Sequence, residues 1–251
     1  MSKSNVFITG GTSGLGLEVA NHYAKEGANV AVCSFEDEAT ARKSIPASFT
    51  FYQADVNDVP RMKEIIYDFK DKAGSLDVVI ANAGISMDKA KIPDFERGRR
   101  VIQTNVIGVL NTFEPAIEIM KDQGSGQIAA LSSIAGTIGG LPGMAIYGAS
   151  KSAVYTLCES LEIDLAKFGI KVTCLAPGFI DTPLTRGNPN AQPFLLTQEK
   201  AGELIFKAVK EKKGLYLFPY QMSIVSHIMR RMPRGLYKWI MKNDLIGTGK
   251  S

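Results

Sequence analysis

A chain of 251 residues with 45% hydrophobic content has enough apolar surface for one sizeable core, although its length alone would permit two domains. No apolar run is long enough to span a bilayer, the two histidines lack ligand spacing for zinc, and the three cysteines are dispersed without a CxxC pair. The net charge of +4 is uneven: residues 212–251 hold eight of the 29 Lys/Arg and one of the 25 Asp/Glu, a balance of +7 that leaves the rest of the chain at −3 and argues against nucleic-acid binding by the body.

Met1–Ser4 is polar and has no secretory pattern. It leads directly into Asn5–Thr9, the first of seven apolar, strand-like runs. The others are Asn29–Ser34, Phe49–Ala54, Leu76–Ala81, Gly126–Ser132, Ile170–Ala176 and Leu215–Phe218. Helix-period segments lie between them: Leu15–Glu26, Asp37–Ser44, Val59–Lys72, Glu96–Lys121, Tyr147–Phe168 and Gln198–Lys212. Strands that are apolar throughout and alternate with helices predict an α/β fold: a doubly wound, mostly parallel sheet of about seven strands with helices on both faces. No Pro/Ser-rich linker divides residues 1–219, which read as one domain. Residues 220–251 read as a basic amphipathic extension, packed on the same domain or interfacial, which Pro233 splits into two short helices.

After the first strand comes Thr9-Gly10-Gly11-Thr12-Ser13-Gly14-Leu15-Gly16, and then an amphipathic helix. Glycines at such a turn admit positive φ and close approach of a phosphate, and the helix N-terminus presents N–H groups to a pyrophosphate. No Lys-Ser/Thr follows, so the turn is not an NTPase P-loop.

Further motifs follow in order. They are Asp55-Val56 after the third strand, Ala81-Asn82-Ala83-Gly84 after the fourth, Asn105 in the long helix, and Ser132-Ser133-Ile134-Ala135-Gly136 after the fifth strand. Tyr147-Gly148-Ala149-Ser150-Lys151 and then Pro177-Gly178-Phe179-Ile180-Asp181-Thr182 complete the series. In this set and order the chain resembles the short-chain dehydrogenase/reductase family, from Thr9 to about Phe218. Ala81 stands where the family's Asn-Asn-Ala-Gly has its first Asn. The resemblance implies a nicotinamide-dependent oxidoreductase acting on a hydroxyl or carbonyl, with catalytic residues Asn105, Ser133, Tyr147 and Lys151. It implies a cofactor bound by Gly10, Thr12, Ser13, Gly14, Leu15, Gly16, Ser34, Asp55, Val56, Asn82, Ala83, Gly84, Pro177, Gly178, Ile180 and Thr182, together with Tyr147 and Lys151. It also implies that Asn105 holds a relay water, that Lys151 binds the ribose hydroxyls, and that Ser133, three residues before Gly136, is the serine that meets the substrate oxygen. Strand alternation independently points Ser132 and Ser133 in opposite directions.

Tyr147 and Lys151 are four residues apart, about one helical turn. A cation about 5 Å from a phenol, at an effective dielectric near 20, contributes roughly 3 kcal/mol. The expectation is that Lys151, the helix N-terminus and an oxidised nicotinamide together hold down the proton affinity of Tyr147.

Where an NAD-preferring enzyme of this fold often carries an acid, Ser34 ends the second strand. The absent carboxylate favours NADP. The missing arginine, with Phe35, Glu36 and Asp37 next, keeps NAD open. Residues 182–197, with Leu184, Phe194, Leu195 and Leu196 and the single charge Arg186, suit a cover over a small apolar alcohol or carbonyl compound. Buried thiols suit a reducing cytosol. The resemblance implies a homo-oligomer paired through Glu96–Lys121 and Tyr147–Phe168. Two alternatives share the fold: a dinucleotide sensor without catalysis, and a membrane-surface protein acting through the basic tail.

Overall fold

In the computed structural model, residues 3–86, 94–181 and 192–243 are described. Seven strands form one parallel sheet: β1 Asn5–Thr9, β2 Asn29–Ser34, β3 Thr50–Gln53, β4 Val78–Ala81, β5 Gly126–Leu131, β6 Ile170–Pro177 and β7 Leu215–Phe218. Their spatial order is β3-β2-β1-β4-β5-β6-β7. The chain winds outward from β1 to β3, then crosses back to β4 on the other side of β1. Pairing is in register, from Asn5 opposite Asn29 to Gly126 opposite Ile170. Phe49, Ala54, Leu76, Asp77 and Ser132 fall just outside the strands expected to contain them.

Because side chains alternate along a strand, each face of the sheet takes half of them. Phe7, Val79, Ile128 and Val172 point into one core with the helices α3 Val59–Ala73, α5 Gly108–Gln123 and α7 Ala145–Leu165. Val6, Ile8, Val32 and Leu175 point into the other, beneath α1 Gly14–Lys25 and α8 Gln198–Lys210. Burial on both faces explains why the strands read as unbroken apolar runs.

Two short helices, α2 Glu38–Ala41 and α6 Ile134–Thr137, follow β2 and β5. The segment predicted as one helix over Glu96–Lys121 is continuous but not uniform. It runs as α4 Phe95–Ile102, a widened π-helical turn Gln103–Ile107, and α5. Asn105 is the buried residue of that turn. The tail forms α9 Tyr220–Arg231 and α10 Arg234–Lys242, broken at Pro233. Met229, Tyr237 and Met241 pack with Ile138 and Leu141 in a third, small core. No helix among the described residues is long and apolar enough to cross a membrane.

Candidate active site

The order reversal between β1 and β4 leaves a crevice at the carboxyl ends of the strands, where open α/β sheets bind ligands. It holds a cleft of about 540 Å³. Backbone polar groups at the turn after β1 are satisfied from β4. Thr9 Oγ1 accepts the N–H groups of Asn82 and Ala83, each at 3.1 Å. Asn82 Nδ2 donates to the carbonyls of Thr9 at 2.9 Å and Gly10 at 3.0 Å. A Cβ on residue 16 would overlap both the Gly10 carbonyl and the Asn82 amide, so only glycine fits there. α1 begins with an N-cap, Ser13, whose side chain makes no capping bond, and its first turn has no acidic residue. By contrast, Asp58, Asp94 and Thr197 cap α3, α4 and α8. The first amides of α1 therefore face the cleft with the positive end of the helix dipole and no acceptor from their own cap.

At the β2 end, Ser34 is buried and its Oγ accepts the Glu36 N–H at 3.2 Å. Phe35 lines the cleft while 81% exposed, and Glu36 lines it too. Asp37 is turned away, its carboxylate accepting the Thr40 N–H at 2.9 Å as the cap of α2. Arg42 is held by Glu38 at 3.0 Å and by the Phe49 carbonyl at 3.0 Å. Among the described residues, the charged side chains lining the cleft are thus Glu36, Asp55 and Lys151.

The opposite end collects groups from four segments. Lys151 is buried, donates from Nζ to the Leu131 carbonyl at 2.7 Å, and lies 5.9 Å from the centre of the Tyr147 ring. Burial lowers its pKa to about 8. Tyr147 is partly buried and hydrogen-bonds Ser133. Its phenol is raised above its ordinary value, because desolvation outweighs the Ser133 hydrogen bond that pulls it down. The lowering expected from Lys151 is not seen at this phenol, where burial dominates. The two serines do diverge. Ser132 Oγ donates to the Lys151 carbonyl at 2.7 Å, whereas Ser133 meets Tyr147 and accepts the Ala135 N–H at 3.2 Å as the cap of α6. Asn105 Nδ2 donates to the Ile85 carbonyl at 3.0 Å and Ser150 Oγ at 3.1 Å, and its Oδ1 accepts the Ile85 N–H at 2.8 Å. Both amide hydrogens are used, which leaves one Oδ1 lone pair for a water. Gly84 fits between: a Cβ there would come within 3.2 Å of Asn105 Oδ1 and 3.5 Å of Lys151 Nζ.

Of the residues named from the sequence, all but three line this one cleft. Gly16 and Asn105 lie behind its wall, and Thr182 is outside the described residues. Phe35 and Glu36, weighed from the sequence beside Ser34, line the cleft, as do Ile85 and Thr104, which the sequence did not single out. Thr104 lies in the π turn and Ile85 is bonded to Asn105 of that turn, and neither carried a sequence signal.

The family model described as short chain dehydrogenase matches residues 4–193. The chain belongs to the short-chain dehydrogenase family. This dehydrogenase is 34% identical over 248 residues to an uncharacterized oxidoreductase from Myxococcus xanthus, covering 94% of this chain and 96% of the relative. It is 39% identical over 193 residues to the 3-oxoacyl-acyl-carrier-protein reductase FabG of Staphylococcus aureus, covering 74% and 77%. Among solved structures, ElxO with NADP bound shares 30% identity at a TM-score of 0.78, over 86% of this chain and 96% of that one. A short chain dehydrogenase from Burkholderia cenocepacia in complex with NADP superposes at a TM-score of 0.83 with 21% identity, over 96% and 98%, a likeness of fold. The dehydrogenase is accordingly an oxidoreductase with a seven-stranded Rossmann-type sheet.

Proposed function

We propose that the protein is an NADP(H)-dependent oxidoreductase working on the hydroxyl or carbonyl group of a small apolar molecule, with Tyr147 exchanging the proton at the substrate oxygen. The observation that carries this reading is the pairing of Tyr147 with Ser133 beside the buried Lys151, at one end of a cleft whose far side is the uncapped start of α1. The residues present fit a dinucleotide. The turn at Gly16 is tight enough that a Cβ would fill it, and the first amides of α1 have no anionic partner of their own.

Gly10, Thr12, Ser13, Gly14 and Leu15 would hold the pyrophosphate, and Ser34, Asp55 and Val56 the adenosine. Asn82, Ala83, Gly84, Pro177, Gly178, Ile180 and Lys151 would hold the nicotinamide ribose and ring, with Thr182 as a further contact. When bound, the nicotinamide supplies or accepts the hydride. Ser133 orients the substrate oxygen and donates a hydrogen bond to its developing charge. Tyr147, raised by burial, is protonated near neutrality and can donate to a carbonyl oxygen. Asn105 braces Ile85 against Ser150 and keeps one lone pair for a relay water.

NADP is supported by Ser34, where no carboxylate meets a 2′-phosphate, and by the NADP-bound relative of 30% identity. Glu36 is the counterweight and leaves NAD usable. An apolar substrate is supported by the described part of the covering segment. Leu196 pairs with Phe179 and Asp181 through backbone bonds of 3.0 and 2.9 Å, which sets Leu196 beside the cleft residue Ile180, with Phe194 and Leu195 half-exposed nearby. We place the protein in the cytosol on its three buried free thiols. We also propose self-association through α5 and α7, whose outer faces expose Leu110 and Ile163.

The test is a screen of apolar aldehydes and ketones with NADPH and NADH, repeated with Tyr147→Phe. NADPH oxidation that falls by about a thousandfold in the variant, with NADPH binding retained, is the expected result. Binding of NADPH without turnover of any compound would instead make the protein a dinucleotide sensor.

A further inference from the structure

A helix packed on one side only should be polar on the other. The two tail helices are not. α9 turns Met222, Ser226 and Met229 inward, and on its opposite face Tyr220, Ile224 and Ile228 recur every fourth residue in solvent, Tyr220 being 75% and Ile228 58% exposed. α10 buries Tyr237 and Met241 and exposes Leu236 and Trp239, the latter at 57%. Isolated surface apolar residues are ordinary, but stripes on two consecutive helices call for an occupant.

Charge decides which occupant. Residues 212–243 contain seven Lys/Arg and no Asp or Glu. Arg231, Arg234, Lys238 and Lys242 make no ion pair among the described residues. A second copy docked through the same stripes would set these unpaired cations against their own kind. An anionic surface would complement them, and Ile, Leu, Tyr and Trp among Lys and Arg is the composition that seats a helix at the headgroup boundary. Between α6, the N-terminal half of α7, α9 and α10 there is also a polar pocket of about 200 Å³. Arg230, Arg234, Ser152 and Thr156 stand in its wall, a donor set suited to a phosphate headgroup. Arg230 already donates to the Tyr155 hydroxyl at 2.7 Å, which fixes its guanidinium at that wall.

We infer that α9 and α10 form a docking face for anionic phospholipid membranes. The face is tied to the cleft. Met222 of α9 packs against Gly178, where a Cβ would come within 3.1 Å of it, and Gly178 lines the cleft. A docked protein would therefore hold its cleft wall one helix away from the lipid.

Trp239 is the chain's single tryptophan, so its emission reports the face directly. The full chain is mixed with vesicles of phosphatidylcholine alone and of phosphatidylcholine with phosphatidylglycerol, and floated on a density gradient. With phosphatidylglycerol, flotation and a blue shift of Trp239 emission are expected; with phosphatidylcholine alone, neither. The pair Ile224→Ser/Ile228→Ser and the pair Arg231→Glu/Lys238→Glu should each reduce flotation at least about tenfold, with thermal melting and carbonyl reductase activity unchanged. Three results would overturn the inference. One is wild-type protein left in the soluble fraction with its emission unmoved. Another is a particle mass in light scattering, without lipid, that halves in Ile224→Ser/Ile228→Ser and so shows a second copy on the stripe. The third is soluble polyglutamate binding as tightly as the vesicles, which assigns the face to an acidic protein. None of these bears on the hydride chemistry, which the NADPH screen tests separately.

Discussion

The Lys151 ammonium donates to the Leu131 carbonyl at 2.7 Å, which anchors the cleft's one cation among the described residues to the last residue of β5. Burial lowers that ammonium to about 8, against about 10.4 in an unfolded chain. Below pH 8 both states carry the charge, and the folded state bears the whole cost of desolvating it. Between the two values the unfolded chain binds more protons, so stability rises with pH. Relative to Lys151→Met, the wild type should gain on the order of 3 kcal/mol across this range, read from urea midpoints. Parallel pH dependence in the two proteins would disprove the burial of a charged Lys151.

Tyr147 is raised by burial, so its proton remains in place through neutrality. Carbonyl reduction should then be flat between about pH 6 and 8, while alcohol oxidation, which needs the phenolate, should climb with pH. Lys151, lowered to about 8, titrates at the upper end of this interval, so only the part of the profile below about pH 7 reports the phenol alone. A reductive rate that falls between pH 6 and 8 would mean that the bound cofactor reverses the sign of the shift.

Ser132 and Ser133 separate structure from chemistry. Ser132→Ala removes the bond to the Lys151 carbonyl and should cost about 1 kcal/mol of stability, with kcat nearly unchanged. Ser133→Ala removes the hydroxyl facing Tyr147 and should lower kcat by about a hundredfold or more. Measuring melting and turnover on both variants checks the assignment, and an interchange of the two effects would refute it.

Glu36 is expected to oppose a 2′-phosphate. It is a cleft-lining carboxylate two residues past Ser34. Glu36→Gln removes a negative charge near the position of a 2′-phosphate, which should tighten NADP by roughly 1 kcal/mol and leave NAD within about twofold. Titration of both dinucleotides against wild type and variant gives the ratio. Equal tightening of both would put Glu36 elsewhere in the site.

Most of the fold was legible because its signals are local. Strand runs, helix periodicity, the glycine turn and Pro233 each declare themselves within a few residues, and the seven strands lie where those signals put them. Alternation was enough to separate Ser132 from Ser133. The widened turn at Gln103–Ile107 was not legible: its five residues fit an ordinary helix, and only the approach of Ile85 and Ser150 to Asn105 favours the wider turn. Nor was the direction of the Tyr147 shift. The spacing to Lys151 is local, but burial is set by the folded surroundings, which bring Leu131 and Ser133 to these two side chains.

The uncapped start of α1 has a consequence for the lifetime of the chain. Four amides at the head of a helix, left to water, weaken the first crossover of the sheet, and an anionic ligand that binds them stabilises the native state by mass action. At a hundredfold excess over its dissociation constant such a ligand adds about 2.7 kcal/mol. Proteolytic survival should then track cellular dinucleotide supply, and in dinucleotide-starved cells the chain would be cleared sooner, before any shortage of substrate was felt.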